Sequence, residues 1–338
     1  MALRIGINGY GRIGRMILRA VYEGHRTAEM EIVAVNDLGS SETNAHLTQY
    51  DSVHGRFPFP VSVDGDTILV GDDRIKVLAE RDPVKLPWGD LGVDLVIEST
   101  GFFATREKSS LHLQGGAKKV LISAPAKDPV DLTVVYGVNH HLLDPDKHFI
   151  VSNGSCTTNC LAPLVKTLHE FAGIEQGTMN TIHSMTNDQR IIDVYHKDLR
   201  RARAAGMSMI PTTTGSAKAI GLVIPELNGK LDGFAIRVPT HNVSIVDLTC
   251  IVRETVSVND IHQVMKNASK GPLKGIMGFN DRPLVSIDFN HDSHSCIYEQ
   301  SLTKVQGQLV KVCGWYDNEW GFSNRMVDVS LAMMGLSH

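Results

Sequence analysis

The run Ser152-Asn153-Gly154-Ser155-Cys156-Thr157-Thr158-Asn159-Cys160 holds two cysteines one helical turn apart. It follows an apolar stretch, 149–151, that reads as a strand. Beyond it Leu161, Leu164, Val165 and Leu168 recur at i, i+3, i+4 and i+7, the spacing of an amphipathic helix. Cys156 therefore stands at a helix N-terminus, where unpaired N–H groups and the dipole favour thiolate, the nucleophilic form. Cys160 falls on the apolar stripe and reads as core. No further Cys or His pair has zinc-site spacing, so no metal is expected, and His291-Asp292-Ser293-His294 reads as a surface turn. Among fifteen histidines, His183 ends the apolar strand 178–183 just before a polar loop, where a base can be held rigidly and still face a cleft. On spacing alone an ordinary structural role competes with that one.

A second candidate is Gly9-Tyr10-Gly11-Arg12-Ile13-Gly14, a G-x-G-x-x-G between a strand (3–8) and a helix (12–22). Asp37 ends the next strand, 23 residues after Gly14. Strand, glycine turn, helix and acid together form the dinucleotide-binding pattern. Gly9, Gly11 and Gly14 allow a tight turn against a pyrophosphate at the helix N-terminus. Asp37 can accept from an adenosine ribose and would repel a 2′-phosphate, which favours NAD over NADP.

These groups need a scaffold of two kinds. Apolar runs at 31–35, 94–99 and 119–123 alternate with helical stretches such as 105–114, which implies an α/β unit with a parallel sheet. After residue 155 longer strands are expected at 178–183, 231–238, 243–252, 283–289 and 309–316. In 243–252 the apolar set Val246, Leu248, Cys250 and Val252 alternates with Asp247 and Thr249, as in an antiparallel strand buried on one face. Ser257 and Asp260 suggest a capping box opening a helix. The expected organisation is an N-terminal Rossmann domain, 1–155, joined by a C-terminal helix, 320–338, and a catalytic α+β domain, 156–319, with a mostly antiparallel sheet.

The 338 residues are 42% hydrophobic and 21% charged, an ordinary globular composition. The net charge of −4 gives no field that would draw the chain to nucleic acid or an anionic membrane. No apolar run reaches the ~18 residues of a membrane span, and the first residues lack the basic and apolar regions of a signal peptide. Five cysteines, an odd number, do not form a disulfide scaffold, so a reduced cytoplasmic setting is expected.

Five segments carry a resemblance: Ile7–Arg15 (INGYGRIGR), Ser152–Cys160 (SNGSCTTNC), Thr212–Gly221 (TTTGSAKAIG), Arg237–Thr240 (RVPT) and Trp315–Phe322 (WYDNEWGF). Taken in order from end to end, the chain resembles the glyceraldehyde-3-phosphate dehydrogenase family. One departure is Gly154, where the family usually has alanine. The resemblance implies an NAD-linked homotetramer. It implies Cys156 as the nucleophile on the aldehyde and His183 as the base, with a thioester that inorganic phosphate releases as 1,3-bisphosphoglycerate. It assigns Thr186 and Arg237 to the substrate phosphate, and Ser155, Thr157, Thr214 and Gly215 to inorganic phosphate, with Arg201 also facing phosphate. It assigns Arg12, Ile13, Asp37, Arg81, Ser123 and Asn318 to NAD, the last holding the nicotinamide amide. Segments 193–196 and 288–292 are similar to the sister enzyme, erythrose-4-phosphate dehydrogenase, whereas Thr186 and Thr214-Gly215 speak for the phosphorylating enzyme. An NAD-binding regulator or adhesin without catalysis is a third reading, which the retained Cys156 and His183 oppose.

Overall fold

The computed structural model describes residues 2–336. Its contacts divide into two compact units. One gathers the chain up to Val134, His140–Gly154 and the chain from Ser323; the other gathers Val135–Asn139 and Ser155–Phe322. The short segment Val135–Asn139 belongs with the second unit because Val135 and Val138 are buried in that unit's core.

The first unit is built on a nine-stranded sheet. Its spatial order is Leu132–Thr133, Ile150–Ser152, Lys119–Ile122, Leu95–Glu98, Leu3–Asn8, Met30–Asn36, Asp73–Leu78, Thr67–Val70 and Val61–Asp64. The first seven strands run parallel, and the last two complete an antiparallel meander. Leu95–Glu98 and Lys119–Ile122 are buried at every residue, as parallel strands covered on both faces must be. Leu3–Asn8 lies between Met30–Asn36 and Leu95–Glu98, so the strand order reverses there and the ends of these strands form the crevice where α/β sheets bind ligands.

The second unit carries a seven-stranded sheet. Its order is Ile210–Thr213, Leu231–Val238, Ile174–Ser184, Ser244–Val252, Leu309–Tyr316, Cys296–Gln306 and Met277–Asn280. The pairings are antiparallel except Ile174–Ser184 with Leu231–Val238 and Met277–Asn280 with Cys296–Gln306. Ser244–Val252 alternates buried and half-buried residues along its whole length, the pattern expected from its sequence. The helix Cys156–Ala172 buries Cys160, Leu161, Leu164, Val165 and Leu168 in the core with Val246, Leu248, Cys250 and Val312. Ser257 caps the helix Val258–Lys270 in a capping box with Asp260.

One expected strand is absent. Residues 283–289 begin as a loop and end as a 3-10 turn, Ser286–Phe289. Asp288 turns back to accept the Val285 N–H at 2.8 Å, closing the turn locally. Of the apolar set that suggested a strand, Val285 and Ile287 are exposed; Phe289 enters a core and Leu284 packs half-buried against it.

Candidate active site

The glycine turn of the first unit is shaped by close approach. Gly9 has φ 90°, and a Cβ there would meet the Thr100 backbone N at 2.6 Å. A Cβ on Gly14 would stand 2.3 Å from the Gly9 carbonyl oxygen. Above Gly11 there is open space. Gly11 is the N-cap of the helix Arg12–Glu23, and no side chain caps that helix end. A helix N-terminus with no side-chain cap and no Cβ above it fits a pyrophosphate. Asp37 reinforces the turn, accepting Tyr10 N–H at 3.1 Å and Gly39 N–H at 2.9 Å. Each oxygen keeps lone-pair capacity for a ribose hydroxyl.

The other residues assigned to the cofactor differ in setting. Ile13 is half-buried on the first turn of the helix. The Arg12 side chain is held by Asp51 in a bidentate pair at 2.9 and 3.1 Å. Burial pushes the Asp51 carboxyl up, but the Arg12 guanidinium and two backbone N–H groups outweigh it and hold the carboxyl well below the usual range. Arg81 is exposed just after the strand Asp73–Leu78. Ser123 follows the strand Lys119–Ile122, with its N–H on the Glu98 carbonyl at 3.0 Å.

In the second unit Ser155 caps the helix Cys156–Ala172, accepting Thr158 N–H at 3.0 Å, and Cys156 is the first helical residue. His183 lies in the strand Ile174–Ser184, paired in register with Arg237 of the neighbouring parallel strand. The sheet thus brings nucleophile, base and cation together. Cys156 Sγ lies 3.5 Å from His183 Nε2. His183 Nδ1 lies 2.7 Å from the Ser184 carbonyl oxygen and 2.5 Å from Arg237 Nη1. Tyr316, absent from the sequence-based set, underpins the pair. Its hydroxyl meets Thr157 Oγ1 at 2.8 Å and Thr181 Oγ1 at 2.9 Å, and its ring meets the His183 ring edge-on at 5.9 Å.

The electrostatics correct the expectation of a favoured thiolate. Burial pushes the Cys156 thiol up; Arg237 and the Thr157 side chain and backbone pull the other way but do not prevail. Burial, then the positive charge of Arg237, push the His183 imidazole down to about 3. The helix N-terminus acts in the expected direction, but desolvation is the larger effect.

The candidate anion groups fall in two clusters. Ser155 Oγ and Thr214 Oγ1 both bond Ser216 Oγ, at 2.9 and 3.0 Å. Gly215 is the N-cap of the helix Ser216–Val223 and offers no side-chain cap. Ser216 was missed by sequence reasoning, although its place at a helix start after Gly215 could have drawn attention. The Thr157 hydroxyl points instead to Tyr316 and is buried. In the second cluster, Arg237 Nε is buried without a hydrogen-bond partner, a donor available to an anion. Thr186 is exposed, with its N–H and hydroxyl on Gln189 Oε1 at 2.9 and 3.1 Å. Arg201 is held by Asp188 at 2.5 Å and Thr212 at 2.7 Å. Asn318 is buried, its Oδ1 bonded by Ser184 and Ser244. Among the described residues no group of three or more His, Cys, Asp or Glu is arranged for a metal ion.

Comparison with known proteins agrees with this geometry. The family pattern "Glyceraldehyde 3-phosphate dehydrogenase, NAD binding domain" matches residues 3–106, and the pattern of its C-terminal domain matches residues 155–318. A plasmid-encoded glyceraldehyde-3-phosphate dehydrogenase of Cupriavidus necator is 61% identical over 98% of this chain and 99% of its own. The enzyme of that name from Pseudomonas aeruginosa is 58% identical over 98% of both chains. That from Geobacillus stearothermophilus is 54% identical over 99% of this chain and all of its own. These relatives do not favour the erythrose or non-catalytic alternatives. With both halves of the pattern matched in order and these relatives aligned nearly end to end, the chain belongs to the glyceraldehyde-3-phosphate dehydrogenase family.

Proposed function

We propose that the protein oxidises D-glyceraldehyde 3-phosphate with NAD and inorganic phosphate, through a thioester on Cys156. The observation that carries this reading is the Cys156–His183–Arg237 constellation, with a sulfur 3.5 Å from an imidazole nitrogen and a buried arginine donor free beside it.

Arg237 and Thr186 bind the substrate phosphate. The position of Arg237 also sets the His183 tautomer. While its guanidinium donates to Nδ1, that nitrogen cannot also donate to the Ser184 carbonyl. An anion that draws Arg237 away leaves Ser184 O as the partner of Nδ1–H and exposes the Nε2 lone pair to Cys156 Sγ. Nε2 then takes the thiol proton as sulfur bonds to the aldehyde carbon. The Cys156 backbone N–H and His183 stabilise the oxyanion. His183 then gives that proton to the oxyanion, forming the hemithioacetal hydroxyl, and takes it back as the hydride leaves the carbon. NAD, when bound, supplies the hydride acceptor, with the glycine turn at its pyrophosphate, Asp37 at its ribose and Asn318 at its carboxamide. Ser155, Thr214, Gly215 and Ser216 hold inorganic phosphate, whose oxygen attacks the thioester carbon. The C–S bond breaks, sulfur leaves as thiolate, and the acyl phosphate departs.

We further infer a homotetramer in the cytoplasm. The loop after His183 exposes Ile191, Ile192, Tyr195, Leu199, Met207 and Met209, an apolar set that another copy would cover. The five cysteines are all free, which suits a reducing compartment. No described helix is long and apolar enough to cross a membrane.

The test is NADH formation from glyceraldehyde 3-phosphate and from erythrose 4-phosphate, each with and without inorganic phosphate. The expected kcat/KM favours the three-carbon aldehyde, with turnover dependent on phosphate. Preference for erythrose 4-phosphate with indifference to phosphate would install the sister activity, with water as acyl acceptor.

A further inference from the structure

Asn318 follows the strand Leu309–Tyr316 by two residues, and its amide is caught between two hydroxyls. Ser184 Oγ donates to Asn318 Oδ1 at 2.8 Å and Ser244 Oγ donates to the same oxygen at 2.9 Å. Ser244 Oγ in turn accepts the Ser184 backbone N–H at 3.0 Å. Both serines are buried, at 0% and 1% exposure, on neighbouring ends of the antiparallel strands Ile174–Ser184 and Ser244–Val252.

This arrangement fixes which end of the amide faces inward. Each hydroxyl has one hydrogen to place, and Asn318 Oδ1 is the acceptor within reach of both. Turning the amide over would set its NH2 against the hydroxyls and leave two buried hydroxyl hydrogens without an acceptor, a penalty that buried polar groups avoid. Oδ1 therefore faces the serines and Nδ2 faces away. Among the described residues Nδ2 has no protein acceptor. The amide presents a donor and no acceptor. Ser184 has a second duty, because its carbonyl oxygen lies 2.7 Å from His183 Nδ1. One residue holds the base through its backbone and the amide through its side chain.

We propose that Ser184 and Ser244 are positioning residues that set the Asn318 amide as a pure donor, so that it selects a cofactor ring bearing a carbonyl oxygen. This rests on the reading of Asn318 as the group that holds the nicotinamide carboxamide.

The test is equilibrium binding by calorimetry, without turnover. NAD is compared with the dinucleotide whose pyridinium ring lacks the carboxamide, so the ratio of dissociation constants reads the anchor and nothing else. Ser184→Ala and Ser244→Ala should each lower the preference for NAD about three- to tenfold. The double variant should approach the loss seen in Asn318→Ala. Binding of the carboxamide-free dinucleotide should stay within about twofold throughout, and Ser184→Thr, which keeps the hydroxyl, should retain the parent ratio. An unchanged ratio in the serine variants beside a lost preference in Asn318→Ala would overturn the proposal and leave the Asn318 reading intact. An unchanged ratio in Asn318→Ala would overturn that reading and the proposal with it. Equal weakening of both ligands in the serine variants would mark a merely structural role and also overturn the proposal. If the double variant does not fold, the two single variants decide.

Discussion

His183 sits between a carbonyl oxygen and a guanidinium, and the competition at its Nδ1 gives Arg237 a role beside its proposed phosphate contact. Arg237→Leu removes a charge-assisted contact of about 1.5–3 kcal/mol, so KM for the phosphorylated aldehyde should rise roughly ten- to hundredfold. For glyceraldehyde without its phosphate, steady-state kinetics should show a change of only a few-fold. Equal losses for both substrates would mean that Arg237 acts solely through His183. The histidine also leaves a mark on stability. Burial and the neighbouring Arg237 charge push its folded pKa down to about 3 from the ordinary 6.5. As pH falls from 6.5 towards 3, the unfolded chain binds a proton at this residue that the folded chain refuses, so stability present above pH 6.5 is lost across that window. His183→Asn cannot titrate. Its thermal midpoint should fall less than the parent's between pH 6.5 and 4, and parallel curves would place the acid-sensitive group elsewhere.

At the scale of elements, the glycine turn separates packing from ligand approach. Gly14→Ala forces a Cβ to within 2.3 Å of the Gly9 carbonyl oxygen. It should destabilise the first unit by about 1–3 kcal/mol and weaken NAD at least tenfold. Gly11→Ala adds a methyl to open space, so unfolding should be nearly unchanged while NAD binding, measured calorimetrically, still falls. Loss of stability in both variants would show that Gly11 is also a packing position. The turn was legible in the sequence because glycine spacing, flanking strand and Asp37 are local signals. So was the helix Cys156–Ala172, whose apolar stripe has a clean period. The strand Cys296–Gln306 was not, because its pairing shifts register between Glu299 and Lys304 and buries Cys296, Ile297, Tyr298 and Glu299 in succession, which erases the alternation. The supports of the site were equally hidden. Tyr316 reaches Thr157 and Thr181 only through sheet and helix packing across more than a hundred residues. The direction of the Thr157 hydroxyl follows from that contact and from nothing near it in the chain. The protonation of Cys156 could not be read either, since local sequence shows the helix end but not the burial that outweighs it.

For the molecule as a whole, the exposed apolar loop is the feature that most needs a partner. Ile191 is 91% exposed, Leu199 84% and Met207 88%. Covered by another copy, they would add apolar burial to each subunit's stability. Leu199→Glu should shift sedimentation from the proposed tetramer towards smaller species at micromolar concentration, and an unchanged mass would remove this loop from the proposed interface. The central claim concerns chemistry and can be read from one preparation. Enzyme, NAD and glyceraldehyde 3-phosphate are mixed without inorganic phosphate; NADH is followed, and the intact protein is then weighed and mapped by mass spectrometry. The account predicts a burst of about one NADH per chain, an acyl adduct on Cys156, and its discharge as the acyl phosphate when inorganic phosphate is added. Steady NADH production without phosphate, or an acyl group on any residue other than Cys156, would contradict it.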